Sequence, residues 1–186
     1  MIDMRYQELR VLAVDPHPRG FGYAVFEGPA RLVDWGTKDT RTEKERATLY
    51  KLEELVTLFR PAVIVVENCD HPKSRRNARV SRLIERILLA AHAFGVHGRT
   101  LPIATVYKTF AGTGAGTKYA IATALVRVFP ELMVRLPRKR KPWQTEDSRM
   151  SIFDAVALGL TYFRSLRRPK TARAQTAGPQ DTDLHT

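Results

Sequence analysis

A mixed α/β fold, one five-stranded sheet flanked by helices, is the class this sequence predicts, and three observations lead to it. Short apolar runs divided by Gly/Pro turns open the chain, later runs alternate with segments of helical periodicity, and isolated acids sit inside the apolar segments. Residues 10–15, 22–27 and 31–35 are rich in Val, Leu, Phe and Tyr and are separated by turns at 16–20 and 28–29, which predicts a three-stranded antiparallel meander. Over 43–59, Leu49, Leu52, Leu55, Val56 and Phe59 recur at the spacing of an amphipathic helix. Beyond Pro61, the unbroken run at 62–66 ending in Glu67 suits a strand covered on both faces. A second helix is marked by Val80, Leu83, Ile84, Ile87, Leu88, Ala91 and Phe94, with Gly95 where a helix stop is wanted. A fifth strand is expected at about 102–106, a third helix at about 118–129, and a last helix at about 148–165 after the Pro-bounded break at 130–142. From Arg167 onward apolar residues are few and aperiodic, so residues 1–165 are expected to form one domain and 166–186 a disordered tail.

Charge narrows the partner. Against 19 Asp and Glu stand 31 Lys and Arg, a net charge of +12, which favours polyanions such as nucleic acid. A chain of 186 residues suffices for one domain with its own core. Cys69 has no second cysteine to pair with and reads as a packing residue in a reducing compartment. The opening Met1-Ile2-Asp3-Met4-Arg5 lacks the apolar centre of an export signal, and no apolar stretch approaches the roughly 20 residues that cross a bilayer, so a cytoplasmic protein without a membrane partner is expected.

The chemistry lies in the acids. Asp15 closes the run Val11-Leu12-Ala13-Val14, Glu67 closes the fourth strand, and Asp154 interrupts Ile152-Phe153 and Ala155-Val156-Ala157-Leu158. Carboxylates embedded in core-forming sequence are costly to bury unless a positive charge neutralises them. Clustered carboxylate oxygens suit a hard divalent ion, Mg²⁺ or Mn²⁺. An acidic metal site in a basic protein suits phosphodiester chemistry, with the basic surface holding a backbone while the metal acts on one phosphate.

Four segments then carry a family resemblance: Asp15-Pro16 with Gly20-Phe21-Gly22-Tyr23, the strand ending in Glu67, the glycine-paired stretch from Lys108 to Lys118, and Asp154-Ala155-Val156-Ala157-Leu158. In this order, over about residues 10–165, the chain resembles RuvC-type Holliday junction resolvases, which have a ribonuclease H-like fold. The resemblance implies a homodimeric, Mg²⁺-dependent endonuclease that cuts four-way DNA junctions by paired nicks. Two ions held by Asp15, Glu67 and Asp154 would activate a water and stabilise the leaving oxygen. For Lys118 it implies neutralisation of charge on the phosphate; a helix-start lysine facing DNA backbone or solvent is the alternative. The YqgF-like nucleases of ribosomal RNA precursors share the fold, and a junction-binding relative that has lost cutting is a third reading.

Departures from the family pattern concern the metal ligands. One turn before Asp154, where the family has an acid or His, stands Ser151, a poorer ligand for a hard cation. Asp147 shares its helix face but lies two turns away, about 10 Å, and reads otherwise as a cap of the last helix; Glu146 is open in the same way. His17 stands in place of a family glycine, and Asp70 where some resolvases carry a wedging aromatic.

Around the acids, Arg75, Arg79, Arg82 and Arg86 fall on one face of the second helix, and with Arg76 and Lys108 they form an expected DNA-backbone track. Arg138, Lys139, Arg140 and Lys141 form a second phosphate-gripping candidate. The segment 112–118 lacks the spacing of a nucleotide-binding loop, so no nucleotide cofactor is expected. Trp143 and Tyr107 suit either stacking on unpaired bases or ordinary packing.

Overall fold

The computed structural model describes residues 6–40, 44–68, 78–141 and 143–167. Five strands, β1 (Arg10–His17), β2 (Gly20–Glu27), β3 (Leu32–Asp39), β4 (Val63–Glu67) and β5 (His97–Leu101), form one sheet in the order β3-β2-β1-β4-β5. The first three are antiparallel; β4 joins β1 in parallel and β5 joins β4 in parallel. The helices are α1 (Lys44–Phe59), α2 (Ala78–Ala93), α3 (Ile103–Phe110), α4 (Lys118–Val128) and α5 (Met150–Leu166), with 3-10 turns at Ala111–Thr113 and Pro130–Arg135.

Strand alternation divides the core in two. Leu12, Val14, Ile64 and Val66 point to the face covered by α1 and α2, where Leu52, Leu55, Leu83, Ile84 and Ile87 are buried. Val11, Ala13, Val63 and Val65 point to the opposite face, filled by α3, α4 and α5. Helix α5 is buried on nearly every side, from Met150 to Phe163 with Asp154 the exception. It approaches β2 closely, through two glycines. A Cβ on Gly22 would meet the Ser151 backbone at 2.3 Å, and one on Gly159 would meet the Phe26 ring at 2.3 Å.

The meander, the sheet, and four of the helices lie where periodicity expects them. The hairpin between β1 and β2 is tighter than expected, its loop being only Pro18 and Arg19. Pro16 is tolerated within β1 because the ladder to β4 ends at Val14 and Val66, so the lost N–H has no β4 partner to serve. The fifth strand corrects the expectation at 102–106. It lies at His97–Leu101, an edge with largely exposed residues, and 103–110 is helix. Pro102 sits in extended conformation at the helix N-cap, and Ile103, Val106, Tyr107 and Phe110 form a stripe at helical spacing with Val106 and Phe110 buried. Gly95 ends α2 with φ 71°, as a helix stop requires. The expected tail beyond 167, and the readings of Cys69, Asp70, Arg75 and Arg76, lie outside the described residues.

Gly159→Ala is expected to destabilise the fold by about 1–3 kcal/mol, the usual cost of overpacking a filled core. Chemical denaturation checks this: the midpoint should fall while the slope is unchanged.

Candidate active site

Register and alternation bring the acids together. Val14 of β1 pairs with Val66 of β4, so Asp15 and Glu67 are the next residues on adjacent parallel strands. Both share the parity of Val11, Ala13, Val63 and Val65 and therefore face α5. Asp15 is buried, 7% exposed, and pairs across the sheet with Gly22, against which Ser151 packs. One turn further along α5, Asp154 meets the Lys118 ammonium at 2.6 Å.

Lys118 is aimed by a helix start. Thr117 caps α4, its side chain accepting the N–H of Ala120 at 3.2 Å, so the glycine-containing segment ends by placing Lys118 at the first position of the helix. The same ammonium lies 3.2 Å from Glu146 Oε1. Tyr107 on α3 feels the charges of Lys118, Asp154, Glu146 and Glu67 and belongs to the same neighbourhood. Burial pushes its hydroxyl up from the ordinary tyrosine range, and Lys118 opposes the shift.

The electrostatics show an excess of negative charge. Burial, then the charge of Asp15, push Asp154 up from 3.8 to about 7, although Lys118 acts in the opposite sense. Lys118 is raised: burial alone would lower it, but Asp154, Asp15 and Glu146 together outweigh burial. Such a donor set, oxygen-only with more charge than one ammonium offsets, fits a hard divalent cation. Among the described residues no group of three acidic, His or Cys side chains stands ready to hold an ion unaided; Lys118 is the cation that Asp154 and Glu146 share.

The remaining ligand candidates are placed differently from one another. Ser151 is buried at 7% exposure and its hydroxyl donates to the Ser148 carbonyl at 2.7 Å. Asp147 is drawn to Arg149, accepting from its backbone N–H at 2.9 Å and its guanidinium at 2.6 Å, and these bonds hold its carboxyl below the usual range. It organises the entry to α5 and is not drawn to Asp154. His17 takes the Arg19 N–H on Nδ1 at 3.3 Å and approaches Asp39 with Nε2 at 3.3 Å. Sequence reasoning undervalued Glu146; its only signal was an acid beside the Ser/Thr/Asp cluster that opens the last helix.

Of the basic candidates, Arg79, Arg82, Lys108, Arg138, Lys139, Arg140 and Lys141 are exposed. Arg86 instead pairs with Glu45 of α1 at 2.9 Å. Two cavities of about 780 and 790 Å³ lie around Arg10 and Arg60, at the end of the sheet remote from Asp15, and take no part in this site.

No protein-family model matches the chain. The crossover junction endodeoxyribonuclease RuvC of Akkermansia muciniphila is 28% identical over 166 residues, covering 84% of this chain and 92% of that relative. The RuvC structure of Thermus thermophilus matches with a TM-score of 0.62 and 22% identity over 85% of this chain and 96% of its own. The chain is thus similar to RuvC over most of its length. Its match to T. thermophilus RuvC in complex with Holliday junction substrate has a TM-score of 0.63 at 20% identity, covering 85% and 95% of the two chains. The yeast mitochondrial Holliday junction resolvase matches with 0.54 at 16%, over 86% and 79%. The RuvC-like fold is the ribonuclease H-like one expected from the sequence. No described helix is long and apolar enough to cross a membrane.

The raised carboxyl of Asp154 has a stability consequence with a defined sign. Below 3.8 the group is protonated folded or unfolded; between 3.8 and about 7 the unfolded chain releases the proton first, so stability falls as pH rises through that window. Melting in the presence of chelator should show a decline from about pH 4 to 7 that Asp154→Asn flattens.

Proposed function

We propose that this chain is a metal-dependent endonuclease that resolves four-way DNA junctions by paired phosphodiester hydrolysis, acting as a homodimer. The observation that carries the reading is the convergence of Asp15 and Glu67, side by side on parallel strands, with Asp154 on α5, the helix they face, paired to Lys118 at the start of α4. Similarity to RuvC over 84% of the chain supports the substrate class, as does the charge of +12.

Asp15, Glu67 and Asp154 would hold Mg²⁺, with Mn²⁺ substituting and two ions per site. The bound metal supplies an activated water and Lewis acidity at the phosphate. Asp15 and Asp154 would bring the negative charge that attracts it, and the burial of Asp15 limits competition from bulk water. Lys118, which holds Asp154 at 2.6 Å, would offer its ammonium to the charge that develops on the phosphate oxygens. Arg79, Arg82, Lys108 and the run Arg138, Lys139, Arg140 and Lys141, all exposed, hold flanking backbone.

Glu146 is favoured as the further oxygen donor over Ser151 and Asp147. It is a carboxylate that shares Lys118 with Asp154, whereas Ser151 offers only a neutral hydroxyl, turned to the Ser148 carbonyl, and Asp147 is paired with Arg149.

Incubation of labelled four-way junction, linear duplex and structured RNA with the protein, with and without Mg²⁺, tests the function. Junction-selective, Mg²⁺-dependent cutting is expected; cutting of RNA alone would favour a ribosomal RNA-processing nuclease, and binding without cutting a non-cleaving relative. Asp15→Asn, Glu67→Gln and Asp154→Asn should each abolish cutting while junction binding persists or strengthens, since a neutral side chain repels phosphate less.

The ligand assignment is checked without DNA by Mg²⁺ titration of the melting temperature. Glu146→Gln should weaken the apparent affinity by about tenfold, as loss of supporting groups at metal sites does, and Ser151→Ala should leave it within about twofold. The reverse order would return the further ligand to α5.

A further inference from the structure

Trp143 is 77% exposed, in contrast to the half-buried Trp35 packed against the core. An indole is among the largest apolar surfaces a side chain presents, and leaving it in water forgoes its burial. The backbone beneath it is nevertheless well tied. Gln144 N donates to the Lys141 carbonyl at 3.0 Å, Lys141 N donates to Gln144 Oε1 at 3.0 Å, and Arg140 Nη1 donates to the Gln144 carbonyl at 3.1 Å. Lys141 Nζ lies 5.4 Å from the ring centroid. The ring is thus presented from a closed turn.

Its location is informative. Three residues on, Glu146 contacts Lys118, which contacts Asp154. Three residues span at most about 11 Å, so Trp143 stands at the rim of the acidic site. On its other side run the exposed cations Arg138, Lys139, Arg140 and Lys141.

We propose that Trp143 is a stacking platform for an unpaired nucleobase next to the reacting phosphate, and so a residue that selects branched or open nucleic acid over continuous duplex. The proposal rests on the nuclease reading above. The surrounding cations favour a polyanion over an apolar protein surface as the occupant. Bases within a continuous duplex have both faces covered by neighbours, so an aromatic platform gains nothing from them, whereas the cations act on any backbone. A base freed at a branch point offers an open face, and every base has one, which makes the contact selective for structure and tolerant of sequence. Basic run and indole therefore divide the work: the first supplies affinity, the second discrimination.

The test compares wild type, Trp143→Ala and Trp143→Phe, as full-length chains in chelator, binding a labelled four-way junction with unpaired bases at the crossover and a linear duplex of the same sequence. Loss of one stacked base should weaken junction binding of Trp143→Ala by about tenfold and leave duplex binding within about twofold, with Trp143→Phe restoring most of the difference. Indole emission of the wild type should be quenched by junction and not by duplex, and the quench should be absent from Trp143→Ala. Equal losses on both substrates, or unchanged junction binding without quenching, would overturn the proposal and leave the indole to a protein partner. A wild type that binds both DNAs but shows no Trp143 effect defeats this inference alone; one that binds neither defeats the nuclease reading with it.

Discussion

The close seating of α5 on the sheet is the constraint on which the rest depends. Gly22 lets the Ser151 backbone come directly against the strand, Gly159 makes room for the Phe26 ring of β2, and the helix is then walled in by α3 and α4 on its other sides. A helix so enclosed cannot rotate to suit one acid. Asp154 sits where packing of Ile152, Phe153, Ala155 and Val156 puts it, and Asp15 and Glu67 point where the parallel register of β1 and β4 sends them. The site is therefore a consequence of the core. Changes that loosen the core should disturb the acids before they disturb the surface.

That arrangement is electrostatically unfavourable by itself. A buried Asp15 and a half-buried Asp154 face one ammonium, and desolvation with mutual repulsion drives Asp154 far from its ordinary range. Proteins retain such groups where chemistry uses them, because a packed core has no need of them. The surface carries the opposite sign, with exposed Arg and Lys on α2 and in the stretch before α5. Polyanion outside and cation inside are complementary demands of phosphodiester hydrolysis.

What could be read from the sequence follows from how each element is covered. Strands β1, β2 and β4 and helices α1, α2, α4 and α5 bury definite faces, so their apolar periodicity was legible. Strand β5 was not: it pairs only with β4, and His97, Gly98, Arg99 and Thr100 remain exposed, leaving no alternation to read. The β-branched residues Ile103, Thr105 and Val106 then imitated a strand, although the spacing of Ile103, Val106, Tyr107 and Phe110 already described a helix behind Pro102. Asp15, Glu67, Asp154 and Lys118 were legible because acids in apolar runs, and a lysine after a glycine-containing turn, are locally out of place. Glu146 was not, because its meaning depends on a contact with Lys118 that no local pattern encodes.

A loop-borne carboxylate at Glu146, in place of a helix-borne acid at position 151, would have a physical logic. Position 151 is 7% exposed and packed on Gly22, directly beside the strand residue that pairs with it, Asp15. A carboxylate there would add a buried negative charge beside Asp15 and one turn from Asp154, raising the protonation of Asp154 further. A serine avoids that cost and satisfies itself on Ser148. Glu146, with its side chain 46% exposed, keeps nearly half of its surface in solvent and still reaches the shared ammonium. Placed on irregular backbone ahead of α5, it is also free of the packing that fixes Asp154, and the same short stretch carries Trp143 and the basic run. Surface contacts made there are thus linked by a few residues of chain to the charge balance at Lys118, which would give engagement of a polyanion a direct route to the site.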